Sequence, residues 1–168
     1  ARSGAAAMTH TGLVTVNSGG THSKTSATGN WTFTVGWTIA SGGTTSCTAA
    51  ATNIVGGAGA ETHDTSGTLQ LNGTSGNNIV LGATTRIGTL RLQTACTVNL
   101  QYVTINGAAT NNSALDHRGT SITITNLDNL TLNSNGTSAL GCNTSAVLLT
   151  VTSSSITGSG AAGYLNKD

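Results

Sequence analysis

Few side chains in this sequence can do acid, base or metal chemistry. The acids are Glu61, Asp64, Asp116, Asp128 and Asp168, set against six Lys and Arg for a formal charge of +1. Histidine stands beside a carboxylate in two places, Glu61-Thr62-His63-Asp64 and Asp116-His117-Arg118. An imidazole titrates near neutrality and a carboxylate can orient it, so each is a candidate general acid/base or metal site. Neither has a third ligand or a nucleophile in register, so the plain reading of both is a solvated loop of mixed charge. Asp116, His117 and Arg118 make the better candidate, because their segment reads as an inter-strand loop, where a scaffold displays function. His10 and His22 lack Cys or carboxylate at ligand spacing and read as loop histidines. The glycine pairs Gly19-Gly20, Gly42-Gly43 and Gly56-Gly57 are not followed by Lys-Ser/Thr, so no phosphate-cradling loop is expected. Neither a cofactor nor a metal is implied.

Cys47, Cys96 and Cys142 are odd in number, so at most one bridge forms within the chain. Cys96 with Cys142 is the candidate disulfide; otherwise all three act as small buried hydrophobes. Sequons occur at Asn30, Asn72, Asn111, Asn129, Asn135 and Asn143, about as often as this composition gives by chance. They permit glycosylation without indicating it. Asn135 and Asn143, near turn glycines, and Asn30, beside an aromatic segment, are the sites expected to be accessible.

What could position these residues follows from composition and period. Thr, Ser, Asn and Gly number 33, 17, 16 and 23, over half of 168 residues, with no proline and 7% charged residues. Six scattered cations cannot neutralise many phosphates, so nucleic-acid binding is not expected. No run of 18 apolar residues exists, so no membrane-spanning helix is expected. Disordered chains combine low hydrophobicity with high charge, whereas Val, Ile and Leu recur throughout; the chain is expected to fold. Starting at Ala1, it fits a processed, secreted product. With so little charge, self-association meets little electrostatic resistance.

From Trp31 to Ile39 large apolar residues occupy every odd position, which predicts one half-buried strand with Thr32, Thr34 and Thr38 as an outward row. Shorter alternating runs include Leu13-Val14-Thr15-Val16, Leu69-Gln70-Leu71, Leu90-Arg91-Leu92 and Leu130-Thr131-Leu132. β-Branched residues favour strands over helices, and the Asn, Gly and Ser that follow them favour turns. Leu71, Ile105, Leu132 and Ile156, each followed by a turn signal, are 34, 27 and 24 apart, and the cysteines 49 and 46 apart. A loose period of that size, built of short strands and turns, is a solenoid signature.

Residues 98–107 (VNLQYVTING), 124–134 (ITNLDNLTLNS) and 149–160 (LTVTSSSITGSG) resemble successive coils of a right-handed parallel β-helix of the pectin-lyase-like kind. The resemblance covers about residues 67–160 and implies an all-β solenoid. It does not extend to the family's active site, which uses clustered acids with calcium or paired aspartates: no two acids here share a strand at i, i+2 spacing. One all-β domain is expected over 1–168, with 1–66 an N-terminal strand or capping region and 67–168 repeat-like. The alternative is a β-sandwich or jelly roll, in which Leu13, Val14, Thr15 and Val16 form an edge strand given to a neighbouring subunit.

The expected function is a non-catalytic extracellular structural protein, a self-assembling filament or surface-layer subunit or adhesin, whose partner is itself. A second reading is a carbohydrate-binding or carbohydrate-cleaving β-helix of a phage or cell-surface fibre that contacts surface glycans. Trp31 and Trp37 share the parity of Phe33, which places them in the core and away from sugars. A third is an ice-binding solenoid, with Thr123, Thr125, Thr150 and Thr152 as further rows. That reading needs Thr at constant offsets in every coil, and the uneven gaps argue against it.

Overall fold

The fold is that of a computed structural model, which describes residues 2–4, 7–26, 29–50, 52–56, 62–82, 88–107, 114–119, 121–134, 140–142, 155–158 and 165–167. The first coil carries β1 (Arg2–Gly4), β2 (Met8–His10) and β3 (Val14–Val16). The second carries β4 (Thr21–Lys24), β5 (Trp31–Phe33) and β6 (Gly36–Ile39), and the third β7 (Thr44–Cys47), β8 (Asn53–Gly56) and β9 (Thr62–Thr65). Then come β10 (Thr68–Asn72), β11 (Ile79–Leu81) and β12 (Leu90–Leu92), followed by β13 (Thr97–Gly107) and β14 (Leu115–His117). The chain continues through β15 (Thr123–Ser134), β16 (Leu140–Cys142), β17 (Ser155–Gly158) and β18 (Leu165–Lys167). Among the described residues there is no helix, and every strand pairing is parallel.

Each strand stacks on its counterpart in the next coil, giving three ladders of a β-solenoid. The first joins β1, β4, β7, β10 and the leading halves of β13 and β15. The second joins β2, β5, β8, β11, the trailing halves of β13 and β15, and β17. The third runs β3-β6-β9-β12-β14-β16-β18. Hairpins, which a sandwich requires, are absent from these ladders, so the sandwich alternative is excluded. Residues 1–66, expected as a strand or capping region, supply coils to the same three ladders as the rest.

The single strand expected over Trp31–Ile39 is two strands on different ladders. Thr34 and Val35 form a bend between them, Val35 is 46% exposed, and Gly36 takes a φ of 107° that side chains disfavour. Alternation survived the corner, which is why the period concealed it. Thr32 and Thr38 therefore belong to separate ladders and make no common row.

Corners follow a shared rule. Gly19, Gly42, Ala95 and Ser121 all have positive φ and stand two residues before Thr21, Thr44, Thr97 and Thr123, where the first ladder starts. The Gly19-Gly20 and Gly42-Gly43 pairs are thus corner residues. At Gly43 a Cβ would lie 2.5 Å from the Val16 carbonyl oxygen, so the coils pack too closely there for a side chain. Tyr102 and Asn129, with φ of 50° and 52°, mark the corner inside β13 and β15, each between the same two pairs of partners.

Inward side chains form columns through the coils: Trp31, Ile54, Leu81, Ile105 and Leu132 on the second ladder, and Ile39, Thr65, Leu92 and His117 on the third. All are buried. Toward the first coils the interior is aromatic, with Phe33 centred 5.0 Å from Trp31 and 4.9 Å from Trp37. Both tryptophans are in the core, as their parity predicted.

Candidate functional site

The two His-carboxylate clusters lie on strands, not loops, and a strand sends successive side chains to opposite faces. In β9, His63 is buried inside and packs 4.0 Å, centroid to centroid, from Trp37, while Asp64 is half-buried on the outer face. In β14, His117 is likewise inside, and Asp116 lies on the opposite face, where it too is buried. Neighbours in sequence are therefore separated by the sheet, and neither pair makes a catalytic dyad. Glu61 lies outside the described residues.

What the sequence did not suggest is that Asp64, Arg91 and Asp116 are consecutive partners in the third ladder. The Gln93 side-chain amide donates to Asp64 Oδ1 at 2.9 Å, and Arg118 Nε donates to the Asp116 carboxylate. Two acids thus flank an arginine on one face, in a self-neutralising stripe. Arg91 separates the two acids along the ladder, and Arg118 holds Asp116.

His10 and His22, expected on solvated loops, lie on β2 and β4 with ring centroids 4.9 Å apart. His10 stacks on Phe33 at 5.1 Å and His22 packs against Trp31 at 4.8 Å. Among the described residues no group of three His, Cys, Asp or Glu side chains could hold a metal.

Cys96 is a buried free thiol, so the expected bridge to Cys142 is not formed. Its position explains this: Cys96 enters the first ladder, whereas Cys142 ends β16 in the third, paired with His117 and Lys167. Cys47 is also buried and free. Burial raises both thiols, Cys96 to about 11; at Cys47 hydrogen bonds with the Ala49 backbone and the Thr52 side chain, and last the Lys24 charge, oppose burial and lose.

Of the sequons, Asn30 is exposed, Asn72 is half-buried at the end of β10, and Asn129 occupies a corner with its amide 2.7 Å from Asp128 Oδ2. Asn111, Asn135 and Asn143 lie outside the described residues, as do Thr150 and Thr152.

The candidate assembly strand is placed at an end. Among the described residues β3 is the last strand of the third ladder, Leu13 beside it is 54% exposed, and a hollow of about 370 Å³ opens along Val14, Thr15, Val16 and Asn17 to His22.

The most regular surface feature lies on the first ladder. Thr21, Thr44, Thr68, Thr97 and Thr123 are consecutive partners in five coils, although those coils take 23, 24, 29 and 26 residues. Each amide after the first donates to the carbonyl preceding the Thr one coil back: Thr44 to Gly20, Thr68 to Gly43 and Thr97 to Gly67 at 2.9 Å, and Thr123 to Cys96 at 2.8 Å. A second outward column of Ser23, Ser46, Gln70, Asn99 and Asn126 runs beside it. Gly-Thr after a corner at Gly20-Thr21, Gly43-Thr44 and Gly67-Thr68 was the signal that could have found this column.

The chain matches no protein-family model, no curated protein and no solved structure. Its class therefore rests on the ladders themselves: an all-β protein built as a parallel β-solenoid.

Proposed function

We propose that this chain is a non-catalytic structural component of an extracellular surface, a filament or layer subunit or an adhesin, which associates with copies of itself end to end. The observation that carries this reading is the β3 edge of the third ladder, which among the described residues pairs with β6 alone, with an apolar Leu13 exposed beside it. An edge strand offers unpaired N–H and C=O groups to another strand, and natural proteins usually protect such edges with charge. Neither Leu13 nor Val14-Thr15-Val16 is charged, and the whole chain is close to neutral. Dispersal of the His-carboxylate pairs across the sheet supports a role without catalysis. The extracellular assignment rests on composition, rich in hydroxyl and amide groups and poor in charge.

Sedimentation velocity across a concentration series, with negative-stain imaging of the same samples, tests this. The expected result is concentration-dependent oligomers or fibres that Leu13→Lys disperses. A parent protein that stays monomeric at the highest concentration would overturn it.

A further inference from the structure

We propose that the threonine column of the first ladder, with the Ser/Gln/Asn column beside it, is an ice-binding face. This goes beyond the assembly reading and uses the side of the solenoid, not its ends.

Uneven coil lengths argued against a regular Thr array, and the ladder removes that objection. The 29-residue coil between Thr68 and Thr97 takes up extra chain outside the ladder, in the turn between β10 and β11 where Thr74 bridges Asn77. Thr97 still lies opposite Thr68, its amide bonded to the Gly67 carbonyl at the distance seen one coil earlier for Thr68 and Gly43. Five hydroxyl-and-methyl groups thus repeat at the strand separation, about 4.7–4.9 Å. Hexagonal ice repeats along its a axis at a closely similar spacing.

The chemistry selects water in a lattice over other ligands. The two columns carry no charge, so they lack the ionic partner that a phosphate, a metal ion or an acidic polymer favours. Thr is stiff at χ1, so its side chain loses little freedom when a surface docks. Its methyl orders water beside it and its hydroxyl hydrogen-bonds that water, which lets a rigid row template a partly ice-like layer. Sugars are commonly bound on exposed aromatic rings. Trp31, Phe33 and Trp37 are buried in the interior, and Tyr102 stands at a corner, so the described residues give this face no such platform.

The test is thermal hysteresis and partitioning into a growing ice hemisphere, read on the purified chain and on two variants. Thr97→Lys puts a long cation inside the column, between Thr68 and Thr123. Thr38→Lys makes the same change on the third ladder, beside the Asp64 row, as a control for folding and charge. The expected result is faceted ice and measurable hysteresis for the parent and Thr38→Lys, and loss of both for Thr97→Lys with an unchanged circular dichroism spectrum. Absence of hysteresis and of ice partitioning in the parent would overturn the inference, as would activity untouched by Thr97→Lys. Retention on crystalline cellulose or chitin without hysteresis would also overturn it and assign the face to polysaccharide. Sedimentation of the same samples reads the end-to-end association separately, so either proposal can fail alone.

Discussion

His117 sits inside the solenoid, 1% exposed, with Leu92 across the ladder. Burial holds its imidazole below the ordinary value of about 6.5, and the opposing pulls of its own backbone and of the Asp116 charge are smaller. A depressed histidine folds neutral, so its contribution to stability is complete above pH of about 6.5 and is lost as pH falls below that value. Thermal unfolding followed from about pH 8 to about pH 5 should show a steeper loss for the parent than for His117→Leu, which suits the apolar column. Equal slopes would mean that His117 is not the group responsible. At this scale the sequence was legible in residue type but misleading in grouping. The clusters at Asp64 and Asp116 are visible as neighbours along the chain, while the sheet sends each acid one way and its histidine the other. Asp64, Arg91 and Asp116 are brought together only by parallel register, and no local spacing encodes that.

Strands were the more legible level, because alternation of Thr with Val, Ile and Leu is a direct consequence of the pleat. The spacings of 27 and 24 between Ile105, Leu132 and Ile156 are true coil lengths on the second ladder. The gap of 34 that precedes them is not, because Leu71 belongs to the first ladder. The shared turn signal also hides an asparagine ladder. Asn133 Nδ2 donates to Asn106 Oδ1 at 2.8 Å, and Asn106 Nδ2 donates to the Gly82 carbonyl at 3.1 Å. Asn106→Ala removes both bonds and should cost about 1–2 kcal/mol in urea-induced unfolding. Asn72→Ala, where the side-chain oxygen accepts no bond, should cost less than about 0.5 kcal/mol. Equal costs would show that the stacked amides contribute nothing beyond an ordinary polar surface.

Across the whole molecule one continuous core runs through the coils, and it shelters Cys47 and Cys96 at different heights. Thiolate is the nucleophile, and burial suppresses it at both positions. Iodoacetamide should therefore label neither in native buffer at neutral pH and both in urea, with mass spectrometry locating each label. Rapid native labelling of Cys96 would contradict the packing described for it. The overall fold was readable because a solenoid writes its period into the sequence, whereas the flat Thr column was not, because its coils differ in length. That difference in length has an evolutionary side. Connections at the corners absorb insertions while the stacked strands stay aligned, and closing a longer loop adds little entropy cost, about 0.6 kcal/mol per doubling. Descendants of such a gene can gain or lose corner residues almost neutrally, and an engineer can graft a foreign peptide between Gly73 and Asn78 without disturbing the broad sides of the prism.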